Sequence, residues 1–560
     1  MFSLKFLPKM MRPFAGLLVV MFLIAGLGLS VVSHYGISWD EEATLGVVDI
    51  NYQLVTQSGD PQGHRQNHRQ YYGTWFNVAA EAVFKGQQLT GVGIARDVCA
   101  ITDTSECLLA KLQSKHGFTF LISLITYGAV AGMVAMFAGW KASWVGPLVL
   151  LLMPRFWGNS FFNPKDIPLA AMFTLGTLLG AHLVRYYFSA DRRLSMGKNA
   201  ITGYSILYGI LVGFVAGARI DSSVLILCVI LVDVGLQLGQ GRSVWQVLKF
   251  CQFYGLMLLT TGLTLWMLYP GSWANPVQWY FAAFNFYYKE DWPHTVLFRG
   301  VDVPADSLPW DYIPTWIGIT TPVVVLVLFG LGWGLAAMRY RRLAMGQKAC
   351  LWLVGLQIFG LPLFAIAYRA TLFDTLRQVL YMLPGIAAIA ALAIIWLYQA
   401  LRSKLAKLAL VSALVVLMLP TAIDMAMLHP YEYVYFNRAF GGLPAAAGRF
   451  DTDYWGLSMA DSVRWVNESG DRAIPLVSSK PTISAELFLE NTRPLIDYDD
   501  FEEEIEEEIE EDRAAGAEKT ASFYYLSLPR WGWDQRFADC SVVYGTTRQQ
   551  IRLSRVRKCG

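Results

Sequence analysis

Three consecutive acidic residues, Asp40-Glu41-Glu42, follow the first long apolar segment of the chain. A carboxylate at the centre of a bilayer costs at least about 3 kcal/mol, so the chain must enter water or an aqueous cavity at this point. A carboxylate in such a position can accept the proton of an attacking hydroxyl group. Acids at a membrane boundary are also commonly solvated, and these three residues alone do not separate the two interpretations.

Three cations occur at the ends of later apolar segments. Lys165 stands beside Asp166 in an Asn-Pro-Lys-Asp motif, and Arg219 and Arg377 lie in short polar connections. A helix boundary explains the prolines of the motif, and an interfacial anchor explains an arginine, but neither explains a cation next to an anion at membrane depth. Cations on one membrane face attract an anion, and a phosphate group is the obvious candidate.

The segment from about 270 to 312 is rich in aromatic residues and contains Glu290-Asp291-Trp292-Pro293-His294. Aromatic rings above a membrane cavity are consistent with stacking on a sugar ring or packing on a lipid chain. His294 with Glu290 or Asp291 could ligate a metal ion, although the spacing is not that of a known metal motif.

The composition of the chain indicates that membrane-spanning helices must position these residues. The chain has 560 residues, of which 55% are hydrophobic and 16% charged, and its mean hydropathy is +0.39. This is an integral membrane composition, since a helix of about 20 apolar residues crosses a bilayer. The net charge is only +2, so nucleic acid is not an expected partner. We predict about eleven spans, at 13–34, 117–139, 142–157, 166–187, 200–218, 222–238, 251–269, 313–338, 349–368, 376–398 and 406–427.

Basic residues in the short connections predict the orientation of these spans. They fall on one side if the N-terminus is cytoplasmic, and the odd number of spans then places the C-terminus outside. We therefore expect a multi-pass protein of the cell inner membrane with a periplasmic C-terminal region. The first span is too long for a signal peptide. Cysteines support this sidedness, because Cys99 with Cys107 and Cys540 with Cys559 could form disulfides in an oxidising compartment.

Two regions outside the bilayer are long enough to fold. The first exterior loop contains an aromatic and apolar pattern from 71 to 84 that predicts an interfacial helix. Residues 428–560 predict a small α/β domain, with a helix at 458–468 and strands near 473–477, 522–527 and 541–553. Within it, the acidic run at 502–512 is typical of a solvated helix rather than a cation site. The predicted division is a membrane domain at 1–427 and an exterior domain at 428–560.

Several of these landmarks together resemble the GT-C glycosyltransferases. They are the acidic motif after the first span, the long first exterior loop, Asn163-Pro164-Lys165-Asp166 in the second, and the aromatic loop before Trp-Ile-Gly-Ile-Thr-Thr-Pro at 316–322. The nearest branch is that of the protein O-mannosyltransferases and aminoarabinose transferases. The resemblance implies a mainly α polytopic membrane protein, a GT-C-like bundle of about eleven helices with a small C-terminal α/β domain.

The resemblance also implies an activity. The expected enzyme is an inverting glycosyltransferase that moves a hexosyl or pentosyl group from a polyprenyl-phosphate donor to a hydroxyl or amine of a lipid, glycan or protein acceptor. Asp40 matches the catalytic base of the family and Glu41 its neighbour, while Asp166 matches the second acidic site. We expect Lys165, Arg219 and Arg377 to bind the donor phosphate.

The resemblance leaves the cofactor open. The nearest counterpart to the metal-ligating pair of the family is Glu81 with His294, so a divalent metal ion is a candidate cofactor and metal dependence stays open. A lipid-linked-sugar flippase or other transporter would share the span count, although paired inverted halves are not evident. A noncatalytic receptor would instead act through the exterior tail.

Overall fold

The long apolar segments form helices that pack side by side. The computed structural model describes residues 11–57, 67–91, 105–189, 198–289, 292–469, 471–472, 474–490, 493–501 and 522–560. Within these ranges, ten helices are long and apolar enough to cross a membrane. They are Arg12–His34, Ser105–Ala138, Asp166–Phe188, Asn199–Ala218, Ile220–Gly239, Cys251–Leu268, Val323–Arg342, Met345–Ala367, Met382–Ala400 and Lys404–Leu428. The protein is therefore a multi-pass membrane protein, as its composition predicts.

The α-helices are numbered here in chain order. They are α1 (Ala15–Val31), α2 (Trp39–Thr44), α3 (Val47–Thr56), α4 (Thr74–Thr90), α5 (Ser105–Ala138), α6 (Val145–Leu151), α7 (Pro154–Phe162), α8 (Asp166–Ser189), α9 (Lys198–Ala218), α10 (Leu225–Gly239), α11 (Val244–Leu248), α12 (Cys251–Leu268), α13 (Pro276–Tyr288), α14 (Tyr312–Thr320), α15 (Val323–Arg339), α16 (Met345–Gly355), α17 (Leu361–Ala367), α18 (Met382–Ala400), α19 (Lys404–Leu428), α20 (Gly442–Ala446), α21 (Met459–Ser469) and α22 (Ile483–Glu486).

The strands are short and lie outside the bundle. They are β1 (Thr295–Phe298), β2 (Val301–Pro304), β3 (Leu476–Ser478), β4 (Leu495–Asp497), β5 (Phe523–Ser527), β6 (Ser541–Tyr544), β7 (Thr547–Arg548), β8 (Ile551–Arg552) and β9 (Arg555–Cys559). The first two form an antiparallel hairpin.

The span predicted at 142–157 is broken into α6 and α7. Pro154 is the first residue of α7, and Met153 before it is extended. Proline disfavours the helical conformation in the residue that precedes it, so the helix breaks here. At one end of the pair Trp140 packs on Phe14 with ring centroids 5.0 Å apart. At the other end Lys165 contacts Asp40. The broken pair thus connects the two ends of the bundle, and with the ten continuous helices it accounts for the eleven predicted passes.

Another proline shortens the predicted span at 313–338. The helix α14 ends at Thr320, Thr321 is extended, and α15 begins after Pro322. By contrast, the helix predicted in the first loop is confirmed as α4, which begins at Thr74. Its Trp75 donates an indole hydrogen bond to the Phe214 carbonyl at 3.0 Å, so the loop helix is attached to α9.

The C-terminal region contains a five-stranded mixed sheet in the order β4-β3-β5-β9-β6. The central strand is β5; β3 pairs in parallel with β4 and β5, while β9 pairs antiparallel with β5 and β6. The predicted helix at 458–468 is confirmed as α21, and the Cys540–Cys559 disulfide closes the last part of the sheet. Cys99 and the acidic run at 502–512 lie outside the described residues.

The hydrophobic core of the bundle continues into the tail. Tyr433, Phe436 and Trp455 belong to the same buried cluster as the membrane helices, and a second cluster under the sheet begins at Met459. The first thirty or so residues after α19 are therefore packed against the membrane portion. This contact brings the tail beside Asp40.

Candidate active site

Several segments of the chain meet at one end of the bundle around a cavity of about 200 Å³. Its lining is formed by Trp39, Asp40, Ala43, Tyr72, Lys165, Asp166, Arg219, Tyr287, Trp292, Pro293, His294, Phe373, Asp374, Arg377, Gln378, Trp455 and Arg530. Four of these side chains are cations and three are carboxylates, so the lining carries one net positive charge with His294 neutral. The cavity thus collects the predicted base and the three predicted phosphate-binding cations.

Asp40 lies at the start of α2, where its two oxygens face different cations. Its Oδ2 is 2.8 Å from Arg377 Nη1, and its Oδ1 is 3.3 Å from Lys165 Nζ. Burial alone would raise the pKa of Asp40, but attraction to Arg377 and then Lys165 outweighs burial and lowers the pKa below its ordinary value. Asp40 is therefore ionised throughout the neutral range.

Glu41 faces away from this cavity. It accepts a hydrogen bond from the Ser38 backbone N–H at 2.8 Å, which is the return half of a capping box at the start of α2. Its other oxygen is 2.8 Å from His116 Nε2, and the Glu41 residue is fully buried. This position gives Glu41 a role in fixing the helix that carries Asp40, and the Ser-x-x-Glu spacing in the sequence is the signal for it.

The tail helps to position Asp40. The Trp39 N–H donates to the Trp455 carbonyl at 3.1 Å, and the Ser484 hydroxyl donates to the Ile37 carbonyl at 2.7 Å. A Cβ atom at Gly36 would lie 2.5 Å from the Leu457 carbonyl oxygen, so only glycine permits this close approach. The glycine before the acidic motif is therefore required by contact with the tail.

Asp166 begins α8, and Asn163 fixes the turn in front of it. The Asn163 side-chain oxygen accepts hydrogen bonds from the Lys165 and Asp166 backbone N–H groups at 3.2 and 2.8 Å. Its amide also donates to Asp166 Oδ2 at 3.0 Å. Capping thus explains the Asn-Pro part of the motif, while the Lys165 ammonium lies 4.1 Å from the Tyr72 ring centroid and points into the cavity.

Arg219 follows α9 and pairs with two carboxylates. It binds Asp221 through two hydrogen bonds of 3.1 and 2.7 Å, and its Nη1 lies 3.1 Å from Asp166 Oδ1. The residue is 8% exposed and lines the cavity. It is therefore not a solvated interfacial anchor, which was one interpretation of its position in the sequence.

Arg377 occupies the centre of the charge network. Besides Asp40, it contacts Asp166 at 3.5 Å and Asp374 at 3.1 Å. Burial lowers the pKa of Arg377, but these three carboxylates raise it above its ordinary value. The Trp455 ring packs on the Arg377 guanidinium, and the distance from Arg377 Cζ to the ring centroid is 5.1 Å.

The turn before Arg377 has an unusual backbone. Asp374 and Thr375 have φ angles of 55° and 69°, in the left-handed region that is rare for a β-branched residue such as threonine. The turn is held by Arg155, whose Nη1 donates to Thr375 Oγ1 at 3.1 Å, and by Tyr312, whose hydroxyl donates to the Thr375 carbonyl at 3.2 Å. This geometry aims both Asp374 and Arg377 at the cavity.

Arg530 is a cavity residue that the sequence did not indicate. It comes from the turn after β5, and its Nη2 lies 2.6 Å from Asp374 Oδ1 while its Nη1 donates to the Tyr454 carbonyl at 2.6 Å. Only 5% of Arg530 is exposed. An arginine in the turn Leu-Pro-Arg-Trp-Gly-Trp at 528–533 is a weak signal, and no local pattern connects it to Asp374.

An aromatic wall formed by Trp292, His294 and Trp531 closes one side of the cavity. His294 stacks on Trp531 with ring centroids 4.3 Å apart, and Trp292 lies 5.3 Å from His294. Trp531 is held at a φ of 51° by an indole hydrogen bond of 2.8 Å to the Thr295 carbonyl. Burial first and then the positive charge of Arg530 lower the pKa of His294, so its imidazole is neutral at pH 7.

The structure does not bring the predicted metal pair together. Glu81 lies in α4 beside a separate small cavity, where its Oε2 is 2.8 Å from Lys111 Nζ. His294 lines the Asp40 cavity instead. Among the described residues, no group of three or more His, Cys, Asp or Glu side chains could hold a metal ion, and Glu290 and Asp291 lie outside those residues.

The charges at Asp40 also argue against a metal ion in direct contact with it. Lys165 and Arg377 face its two oxygens, and Arg219 faces Asp166. These carboxylates are already neutralised by side chains of the protein, so the arrangement does not fit a divalent cation at the same place. The cations can instead release their carboxylate partners and bind the oxygens of an incoming anion.

Comparison with known proteins gives structural similarities alone. No family model matches the chain, and no curated protein is significantly similar to it in sequence. One similar structure is ArnT from Cupriavidus metallidurans bound to undecaprenyl phosphate, which is 15% identical, covers 98% of this chain and 97% of its own, and has a TM-score of 0.44.

Two further similar structures are of the oligosaccharyltransferase from Archaeoglobus fulgidus. The apo form is 11% identical, covers 87% of this chain and 65% of its own, and has a TM-score of 0.51. AglB in complex with an inhibitory peptide and a dolichol-phosphate is 10% identical, has the same coverage and a TM-score of 0.50. The chain therefore has the GT-C fold that its sequence predicts.

Proposed function

We propose that this protein with the GT-C fold is an inverting glycosyltransferase that uses a polyprenyl-phosphate-linked sugar as donor. The observation that carries the proposal is the convergence of Asp40 with Lys165, Arg219 and Arg377 on one cavity at the end of the bundle. A carboxylate base and a set of cations within one small cavity are what transfer from a phosphate leaving group requires.

The donor phosphate is proposed to bind between Lys165, Arg219 and Arg377. Each of these cations now contacts at least one carboxylate, and phosphate oxygens accept the same charge-assisted hydrogen bonds. The four cations of the lining outnumber its three carboxylates, and this net positive charge favours binding of an additional anion. The apolar helices below the cavity are proposed to accommodate the lipid chain of the donor, and the similar AglB forms a complex with a dolichol-phosphate.

Asp40 is proposed to act as the general base. The acceptor oxygen forms a bond to the anomeric carbon while the bond from that carbon to the phosphate oxygen breaks. The acceptor proton passes to the Asp40 carboxylate, and the polyprenyl phosphate leaves with the electron pair of the broken bond. One displacement inverts the anomeric centre.

Binding of the donor would also activate this base. Arg377 and Lys165 are the two charges that lower the pKa of Asp40 against the opposing effect of burial. When the phosphate takes up their hydrogen bonds, they stabilise the Asp40 anion less, and the pKa of Asp40 rises toward the value of a buried carboxylate. A base with a higher pKa accepts the proton more readily, so donor binding and proton transfer are coupled.

The aromatic wall is proposed to cover the sugar of the donor. Trp292 lines the cavity with Trp531 packed behind it, and a sugar ring packs well on an aromatic surface. We place the cavity on the periplasmic face of the cell inner membrane, with a cytoplasmic N-terminus. The transferred group is a hexosyl or pentosyl unit, and the acceptor is a hydroxyl or amine on a lipid, glycan or protein.

The experiment uses the full-length protein in nanodiscs with polyprenyl-phosphate mannose or polyprenyl-phosphate aminoarabinose, and it measures released polyprenyl phosphate. Asp40→Asn is expected to lower release by at least about 100-fold, the usual effect of losing a general base. Asp306→Asn is the matched control, since Asp306 is an exposed acid that does not line the cavity. Full activity of the folded Asp40→Asn variant would refute the assignment.

The same preparation separates the enzyme from a transporter. A transporter would move the intact lipid-linked sugar across vesicles without releasing polyprenyl phosphate, and its transport would persist in Asp40→Asn. A transferase would release the lipid phosphate only when the donor is cleaved. Movement without cleavage would therefore replace the proposed function with transport.

A further inference from the structure

A second cavity lies behind the aromatic wall. Its volume is about 670 Å³, and it lies between the β1–β2 hairpin, the segment at 447–452 and the sheet of the tail. Pockets for small ligands commonly have volumes of about 300–1,000 Å³, so this cavity can hold more than one sugar ring. It lies outside the donor site but shares Arg530 with it. Trp531 lines the second cavity, and its ring packs against Trp292 and His294 of the donor site.

Arg530 connects the two cavities through its guanidinium. Its Nη1 and Nη2 atoms have partners at the donor site, as described above. Its Nε has no hydrogen-bond partner among the described residues and lies 3.9 Å from Asp451 Oδ1, which lines the second cavity. A buried N–H without a partner is costly, and a ligand oxygen in the second cavity could satisfy it.

The lining of the second cavity is polar and electrically balanced. It contains three acids and three arginines, and Asp534 pairs with Arg555 at 2.9 Å. The exposed side chains of Asp302, Gln535 and Arg552 provide further acceptors and donors. A ligand with a large charge would leave half of this lining unmatched, whereas a neutral molecule with many hydroxyl groups can both donate and accept.

We infer that the second cavity binds the carbohydrate portion of the acceptor, a neutral polyhydroxylated chain whose terminal sugar reaches Asp40 past Arg530 and Trp531. The inference rests on the proposed transfer reaction. It adds the chemical class of the acceptor, and it assigns the tail the function of holding that acceptor. The glycan is carried by a lipid or by a protein, or is free, and all three present the same hydroxyl groups.

The test measures binding of the detergent-solubilised full-length protein to immobilised probes. The probes are neutral trisaccharides on a short linker, the same trisaccharides on a lipid anchor, sialylated trisaccharides, and serine-rich peptides. Variants Asp302→Asn, Gln535→Ala and Arg552→Ala change exposed lining side chains. Because surface substitutions usually change stability little, we expect these variants to fold. The matched control is Arg472→Ala, an exposed arginine of the tail that lies outside the cavity.

We expect neutral trisaccharides to bind the wild-type protein and the Arg472→Ala control, with an apparent affinity about tenfold lower in Arg552→Ala because one charge-assisted hydrogen bond is lost. Binding of the lipid-anchored probes alone would identify a glycolipid as the source. Binding only to sialylated probes or only to peptides would overturn the inference, as would no binding or binding that none of the three lining variants weakens.

The donor reaction distinguishes failure of this inference from failure of the proposed function. Release of polyprenyl phosphate that depends on Asp40, together with no glycan binding, would refute only the acceptor site. Glycan binding that Arg552→Ala weakens, together with no release from any donor, would support the carbohydrate site and refute the donor reaction.

Discussion

Replacement of Arg377 with glutamine removes the cation that contacts three carboxylates at once. Its guanidinium lies 2.8 Å from Asp40, 3.5 Å from Asp166 and 3.1 Å from Asp374. Removing one partner of a buried ion pair commonly costs about 3–5 kcal/mol, because the other charge is left buried without compensation. Three unpaired carboxylates would therefore prevent folding if nothing else neutralised them.

Each of the three acids keeps a second cation in this variant. Lys165 remains 3.3 Å from Asp40, Arg219 remains 3.1 Å from Asp166, and Arg530 remains 2.6 Å from Asp374. We therefore expect the free energy of unfolding to fall by about 3 kcal/mol, the lower limit for a broken buried pair, and the variant to fold.

Arg377→Gln should also slow the reaction. A charge-assisted hydrogen bond to the leaving phosphate contributes about 1.5–3 kcal/mol, so kcat/KM is expected to fall by about 10- to 150-fold. Arg377 is also the strongest of the charges that lower the pKa of Asp40. Without it that pKa rises, and because Asp40 must be ionised to act as a base, the acidic limb of the pH profile moves to higher pH.

Stability at low pH should change in the same direction. An acid with a lowered pKa in the folded state adds stability above its unfolded pKa of about 3.9, and this stability is lost as the pH falls through the folded pKa. Arg377→Gln removes most of this contribution from Asp40, so acid unfolding should begin at a higher pH than in the wild-type protein.

The assay is polyprenyl phosphate release by protein in nanodiscs over a range of pH, with thermal unfolding measured on the same samples. Arg377→Lys keeps the charge but loses the planar fork, and should recover part of kcat/KM. Arg369→Gln, at an exposed position outside the cavity, is the matched control. A folded Arg377→Gln variant with wild-type kcat/KM and an unshifted acidic limb would refute this role of Arg377.

Three further predictions concern neighbouring features. Glu41→Gln should lower the free energy of unfolding by about 2 kcal/mol, since it weakens charged hydrogen bonds. It should leave kcat/KM within about threefold of wild type, because Glu41 does not reach the transition state; a loss comparable to that of Asp40→Asn would contradict the capping role. Burial first, against the attraction of Arg530, raises the pKa of Asp451 to about 6, so its ionisation destabilises the fold as the pH rises from about 4 to 6. Asp451→Asn should therefore raise the thermal unfolding temperature at pH 7 more than at pH 4, and an equal change at both values would refute this. Replacing Cys540 and Cys559 together by serine opens a loop with a sequence separation of 19 and should cost about 3 kcal/mol, measured as faster proteolysis of the tail, with unchanged proteolysis as the contrary result.

The sequence predicted five of the seven charged residues that line the cavity, because hydropathy assigns polar residues to the membrane faces. Asp40, Lys165 and Arg377 each stand at the end of an apolar segment, and consistent topology puts them on one side. Polar residues at the same end of a helical bundle lie close to one another. Their contacts at 2.8 and 3.3 Å therefore follow a pattern that the sequence already contained.

The contribution of the tail could not be predicted in the same way. Arg530 and Asp374 are separated by 156 residues, and a single sequence does not contain the information that pairs them. Pro154 was a signal for the break at Met153, but averaged hydropathy predicted one continuous span at 142–157. The Ser-x-x-Glu spacing marked Glu41 as a capping residue, yet three consecutive acids at a boundary do not indicate which one enters the cavity.

The Arg530–Asp374 pair also has a consequence for how such a protein can evolve. A recombination event that exchanged the tail for another sheet domain would have to supply an arginine at the same place in the same step. Without it, a buried carboxylate beside the base would lose one of its two cations, at a cost of about 3 kcal/mol or more. The membrane helices and the tail are therefore expected to descend together as one unit of inheritance, and chimaeras that join them from distant relatives should fail unless the pair is transplanted as well.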